Sequence, residues 1–135
     1  VYYTLLQFHP ETPLAETPAK TLTRDTLQAA LDYIDAVAAK LPEVKMARPD
    51  ADLVLREYRQ QVALMKFACH LGQARVDAGG IGTSKLPADV RRKLADELAP
   101  LIPEFRQLWL ARSRSGGLKD SADRFETLLR TLRAQ

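Results

Sequence analysis

The residues from Asp50 to Ala78 constrain the fold more than any other part of the chain, because apolar side chains recur there at helical spacing on two faces. A helix with two apolar faces packs against neighbours on both sides. Pro49 and Asp50 suit the first positions of such a helix. We therefore predict one long helix at the centre of the domain. Its two stripes are Leu55, Tyr58, Val62, Met65 and Cys69, and Leu64, Phe67, Ala68 and Leu71.

A second helix is predicted before this one and a third after it. The first begins at Thr23, whose hydroxyl can cap backbone N–H groups, and ends before Pro42. The other begins near Pro87 and keeps its apolar spacing as far as Leu108. It also contains Pro100 and Pro103, and a proline inside a helix costs about 3 kcal/mol. We therefore predict that this third helix is kinked or broken near the two prolines.

The last helix is predicted from Asp120 or Ser121 to Arg133, with an apolar stripe that includes Phe125 and Leu128. Short polar loops join the helical segments. Such loops are typical of neighbouring helices that run in opposite directions. The fold class is therefore all-α, an antiparallel bundle of about four helices, and we assign the bundle domain to residues 21–135.

Residues 1–20 differ from the rest of the chain in carrying prolines at positions 10, 13 and 18 without a helical period. Proline blocks helix interiors and biases the preceding residue towards extended backbone. We therefore expect an extended N-terminal lead-in or linker. The first residue is Val rather than Met, so we expect a fragment or a processed product. The compartment stays open between cytoplasm and secretion, with a slight preference for the cytoplasm.

The composition is that of one globular domain: 135 residues, 46% hydrophobic and 27% charged, with a formal net charge of +3. No apolar run approaches the roughly 18 residues that a membrane span requires. Basic residues alternate with acidic ones, which is typical of a solvated helix surface rather than a nucleic-acid footprint. We expect no membrane partner and no nucleic-acid partner.

No catalytic set is visible in the sequence. The two histidines, His9 and His70, lie in different segments, and no Cys or His pair has the spacing of a zinc site. Cys69 lies on an apolar stripe and points about 100° away from His70 on a helix, so it is interpreted as a small core residue. We predict no catalytic residue, no metal and no cofactor. A small-molecule pocket between the helices stays open.

The segment Phe105–Ser121, "FRQLWLARSRSGGLKDS", is the richest part of the sequence. Arg112 and Arg114 lie at the end of a helix, where positive charge complements the helix dipole. Gly116 is expected to adopt the left-handed helix-ending conformation, with Leu118 closing its hydrophobic contact. A helix C-terminus does not require the combination of Trp, Arg and Gly that this segment carries, so we predict an interface. Its candidate residues are Leu108, Trp109, Arg112, Arg114, Gly116, Gly117 and Leu118.

The stretch "LWLARSRSGGLKDSADRFETLL" resembles the C-terminal helical tail of bacterial glycoside hydrolase family 20 proteins, the β-N-acetylhexosaminidases. That tail has a pattern close to Leu-Trp-Leu-x-Arg-Asn-Arg-Pro-Gly-Gly-Leu-x-x-Ser. Ser113 stands where Asn is usual, and Ser115 stands where Pro is usual. The resemblance covers about the last 30 residues. The matching residues are Leu108, Trp109, Leu110, Arg112, Arg114, Gly116, Gly117, Leu118 and Ser121.

The resemblance implies a domain that follows a (β/α)₈ catalytic barrel. The parent enzyme would remove terminal N-acetylhexosamine, with the substrate's acetamido oxygen as the nucleophile and an Asp–Glu pair on the barrel. This chain has no such pair in a barrel motif, so no catalytic residue is transferred to it. We expect a non-catalytic accessory domain that docks on the barrel or on a second subunit.

Two other functions compete with the accessory domain. One is a stand-alone helical interaction module, including a homodimer. The other is a nucleic-acid-binding domain that uses Arg91, Arg92, Arg112 and Arg114.

Overall fold

The computed structural model describes residues 2, 4–113 and 115–134, without the side chains of residues 7 and 8. The described chain contains five α-helices. They are α1 (Arg24–Ala38), α2 (Ala51–Asp77), α3 (Ala88–Leu98), α4 (Leu101–Arg112) and α5 (Leu118–Arg133). None of the described helices combines the length and the apolar character that a membrane span needs.

Helix α2 is the central element, as its two apolar stripes predict. It packs against α1 on one side and against α3 and α4 on the other, and α5 packs on α3 and α4. Cross-helix contacts give the directions. Lys66 Nζ lies 2.8 Å from Asp35 Oδ1 and Arg24 pairs with Asp77, so α1 and α2 are antiparallel. Arg106 pairs with Glu126 and Trp109 lies beside Gly117, so the α4–α5 pair is antiparallel too. The prediction of an all-α antiparallel bundle is confirmed.

The third predicted helix is broken at the prolines, as predicted. Helix α3 ends at Leu98 and α4 begins at Leu101. Pro100 precedes α4, and Pro103 lies in its first turn, where backbone N–H groups have no partner within the helix. Both halves face one core, because Leu98 and Ile102 belong to the same buried cluster. That core also contains Phe67 and Leu71 from α2 and Phe125 and Leu128 from α5.

The N-terminal segment is not the extended lead-in that the prolines indicated. Thr4–Phe8 forms a π-helical turn, and Leu14–Glu16 forms a 3₁₀ turn. Leu5 and Leu6 are almost completely buried, because their turn packs against α2 and α5. The prolines prevent a long helix here, but they leave room for single turns. Burial of leucines supplies the stabilisation that local propensity lacks.

The start of α5 also differs from the expectation. The helix begins at Leu118, before the Asp120 or Ser121 that was predicted to start it. The left-handed residue is Gly117, with φ 83°, rather than Gly116. Leu118 is buried at the first helical position. The turn therefore closes one residue later than predicted, because that position brings Leu118 into the core.

Candidate functional site

The predicted interface segment forms a helical corner between α4 and α5, which we call the α4–α5 corner (residues 108–121). Leu108 is 7% exposed and Leu118 is 9% exposed, so both leucines belong to the chain's own interior. Gly117 has a positive φ, which glycine adopts without steric cost. The half-buried Trp109 lies beside it: a Cβ at position 117 would be 3.6 Å from Trp109 Cζ2.

Arg112 ties the α4–α5 corner to the beginning of α2. Its Nε donates to Glu57 Oε1 at 2.7 Å, its Nη2 to Glu57 Oε2 at 3.0 Å, and its Nη1 to Asp50 Oδ2 at 2.7 Å. Arg48 also pairs with Asp50. The hydrogen bonds from Arg48, and then those from Arg112, lower the pKa of Asp50 to about 2. Arg112 lowers the pKa of Glu57 in the same way. The whole network lies at the surface.

The seven interface candidates therefore divide by position. Leu108 and Leu118 are interior residues, and Arg112 is occupied by intramolecular ion pairs. Gly116 is exposed, with open space where a Cβ would stand. Arg114 lies outside the described residues. The remaining candidates, Trp109 and Gly117, lie against each other at the rim of the corner.

Leu110, which belongs to the resemblance pattern, is 55% exposed on α4. A leucine at this position contributes little to the chain's own core. It is therefore an apolar side chain that a partner could cover.

Arg75 marks a second junction, which was not predicted from the sequence. Its side chain is completely buried, and all three of its described partners are backbone carbonyls. Nε donates to Ile81 O at 2.9 Å, Nη1 donates to His9 O at 3.0 Å, and Nη2 donates to Thr12 O. Burial lowers the pKa of the guanidinium. Arg75 thus ties the N-terminal segment to the glycine-rich loop. We call this region, residues 9–14 and 79–84 around Arg75, the N-terminal junction.

Backbone and hydroxyl contacts complete the N-terminal junction. Thr83 is fully buried, and both its N–H and its Oγ1 donate to Pro10 O, at 2.9 and 2.6 Å. Leu14 N–H donates to Gly80 O at 2.8 Å. The signal for Arg75 was present in the sequence, since it follows Leu71 at helical spacing on an apolar stripe. Its partners lie far away in sequence, so the stripe alone did not reveal them.

A third feature is the contact between His70 on α2 and Glu97 on α3. His70 Nδ1 lies 2.8 Å from Glu97 Oε1 and 3.0 Å from Oε2. Both side chains are partly exposed. The sequence did not predict a partner for His70. Glu97 follows Val90 and Leu94 at helical spacing, which places an acid on the side of α3 that faces α2. This spacing was the sequence feature from which the contact between Glu97 and α2 could have been predicted.

Cys69 packs as the sequence predicts. It is 4% exposed and belongs to a cluster with Leu27 and Leu31 of α1. Burial raises the pKa of its thiol, which disfavours the thiolate. An apolar groove of about 180 Å³ between α1 and α2 adjoins it, lined partly by Ile34 and Met65.

Two of the basic residues that the nucleic-acid alternative requires, Arg91 and Arg112, lie at different places. Arg91 is near the end of α5, where it donates to the carbonyl oxygens of Leu86 and Ala134. Arg112 is near the start of α2, beside Asp50. Helix α2 is about 40 Å long at 1.5 Å per residue, and its end lies beside the start of α3. Arg91 and Arg112 therefore lie towards opposite ends of the bundle and do not form one basic patch.

Among the described residues, no group of three or more His, Cys, Asp or Glu side chains is arranged to hold a metal ion. Comparison of the chain with known proteins found no matching family model, no matching curated protein and no matching solved structure. The resemblance to the family 20 tail therefore depends on the motif in residues 108–129.

Proposed function

We propose that this chain is a non-catalytic accessory helical domain of a glycoside hydrolase that acts on terminal N-acetylhexosamine, and that it docks on the catalytic barrel or on a second subunit. The observation that carries the proposal is the α4–α5 corner. The motif residues build a defined helical corner, and Leu110 remains 55% exposed on it.

The physical roles of the motif residues support a docking domain rather than a catalytic one. Leu108 and Leu118 fill the interior, Gly117 supplies the left-handed turn, and Arg112 binds two carboxylates of the same chain. Each of these roles is structural. Leu110 is a motif side chain whose apolar surface faces solvent, and burial of such surface stabilises association.

The first experiment tests the absence of catalysis. The purified chain is incubated with p-nitrophenyl N-acetyl-β-D-glucosaminide, and release of nitrophenol is measured. We expect no turnover above the rate in buffer. Turnover that survives further purification of the chain would overthrow the non-catalytic assignment.

The second experiment tests docking. The chain is mixed with a bacterial family 20 catalytic barrel from which the helical tail has been removed. Co-elution and the melting temperature of the barrel are then measured. We expect association that raises the melting temperature. Leu110→Ser should weaken the association, whereas Tyr33→Ser, a control on the exposed face of α1, should not.

Two outcomes would contradict the docking proposal. No association at any concentration would remove the barrel as a partner. Association that is lost with Tyr33→Ser but kept with Leu110→Ser would place the interface on α1 instead.

A specific observation also favours the alternative of a dimerisation module. Tyr33 is 72% exposed and Val37 is 45% exposed, one turn apart on α1. Two such side chains on one face could pair across a two-fold axis. Sedimentation of the chain over a concentration series tests this alternative. A monomer at every concentration would exclude it.

A further inference from the structure

A cleft of about 540 Å³ lies between the second half of α2 and the start of α3. Its volume falls in the range of small-molecule sites, which combine apolar walls with a few polar groups. Ala74, Ala78, Pro87 and Val90 supply the apolar part. The polar groups are Arg24, His70, Gln73, Asp77 and Lys93.

Most of these polar groups are already occupied within the chain. Arg24 pairs with Asp77, and Gln73 Nε2 donates to Gln28 Oε1 at 3.0 Å. Lys93 is different: it is exposed and makes no hydrogen bond or ion pair with any residue that the structure describes. The ammonium group of Lys93 is therefore the cation of the cleft that a ligand could pair with.

Glu97 orients the imidazole of His70 towards this cleft. The carboxylate of Glu97 accepts from Nδ1, so in the neutral imidazole Nε2 is left for a ligand and can only accept a hydrogen bond from it. Glu97 itself does not line the cleft; it lines a neighbouring one with Arg59 and Lys66.

We propose that the α2–α3 cleft binds a small molecule that carries an anionic group on an apolar body. Lys93 pairs with the anionic group, His70 Nε2 accepts from a hydroxyl or N–H of a ligand that carries one, and Ala74, Ala78 and Val90 cover the apolar body. Glu97 is a positioning residue that holds the imidazole. The proposal does not depend on the accessory-domain function, because it concerns a different face of the bundle.

Three probes of similar size test the chemistry of this site: benzoate, benzyl alcohol and benzamidinium. They share an apolar ring and differ in charge. Each is titrated into ¹⁵N-labelled chain, and the amide shifts are recorded. A probe of this size is expected to bind with a Kd on the order of 1–10 mM. Benzoate should give saturable shifts in residues 70–78 and 87–93, and the other two probes should bind more weakly there.

Variants at position 93 identify the cation. Lys93→Gln should weaken benzoate binding about fivefold, because it removes a charge-assisted contact at a solvent-exposed rim. Lys93→Arg should restore the affinity to near the original value. Lys119→Gln, which removes an exposed lysine of α5 away from the cleft, is the matched control and should have no effect. Lys93 is exposed, so these substitutions leave the core intact.

Several results would overturn the proposal. Equal shifts from benzamidinium and benzoate would show that the cleft does not select an anion. Benzoate shifts confined to the apolar groove beside Cys69, or to the cleft formed by Arg91, Arg92 and Arg133, would place the site elsewhere. Absence of shifts well above the expected Kd, or unchanged affinity in Lys93→Gln, would likewise refute it.

Discussion

The two arginine-centred junctions of this fold make the same number of described hydrogen bonds in opposite surroundings. Arg75 at the N-terminal junction is fully buried and donates to three backbone carbonyls. Arg112 at the α4–α5 corner is exposed and makes its three bonds to two carboxylates. Formal charge complementarity is better at the corner. Exposure to solvent determines which junction contributes more to the free energy of unfolding. Exposed ion pairs contribute little, whereas buried groups cannot exchange a lost partner for water.

The two junctions also differ in the sequence separation of the segments that they join. Arg75 holds together segments about 65 residues apart, since its partners include His9 and Thr12. Arg112 fixes the orientation of a corner whose turn is already specified by Gly117. We therefore expect the N-terminal junction to control global stability and the corner to control local geometry.

The largest expected effect is that of Arg75→Met. The substitution keeps most of the volume but leaves three partly buried carbonyls without their donor, so we expect a loss of about 3 kcal/mol in the free energy of unfolding. Urea denaturation followed by circular dichroism measures it. Arg112→Met is the matched control and should lose much less. Equal destabilisation of the two variants would show that burial of Arg75 does not make its junction the more important one for stability.

The second effect compares two glycines of the same regions. At Gly82, in the N-terminal junction, an added Cβ would stand 2.5 Å from Glu11 O, so the backbone must shift. At Gly116, in the corner, nothing lies within 4 Å. We expect Gly82→Ala to cost about 2 kcal/mol and Gly116→Ala to be within about 0.5 kcal/mol of the original stability. Thermal and urea unfolding of both variants measure these differences. A neutral Gly82→Ala would show that the N-terminal segment is free to move away from the loop.

Features of the fold that depend on local sequence could be predicted, whereas features that depend on tertiary packing could not. The helix break at Pro100 is a local effect, because proline removes a backbone donor wherever it stands. The packing of Leu5 and Leu6 is a tertiary effect, and the three nearby prolines gave the opposite local signal. The choice between Gly116 and Gly117 was equally undetermined, since two successive glycines are alike in conformational freedom.

Candidate sites were harder to predict than helices for a related reason. His70 and Glu97 are 27 residues apart, and their pairing depends on the register of α3 against α2. Helical periodicity gives the face of each helix but not that register. Arg75 could have been noticed as a charge on an apolar stripe, but carbonyl partners leave no signature in sequence. In the motif, Leu108, Arg112, Gly117 and Leu118 have roles within the chain, and the predicted interface at this corner stays a prediction.

The smallest expected effect is a change in the pKa of Asp50 at the α4–α5 corner. The folded-state pKa of Asp50 is about 2, below the ordinary value of about 3.9 that applies in the unfolded chain. Stabilisation from Asp50 is therefore fully present above about pH 4 and is lost as the pH falls through about 2.

Arg112→Met removes the second largest cause of the lowered pKa and leaves Arg48 in place. The pKa of Asp50 should then rise but stay below the ordinary value. Carboxyl ¹³C NMR titration measures it, with Arg130→Met, which alters a contact to Thr127 on α5, as the control. An unchanged Asp50 in Arg112→Met would mean that Arg48 alone sets this pKa, and that the bond between Arg112 and Asp50 adds nothing to the corner in solution.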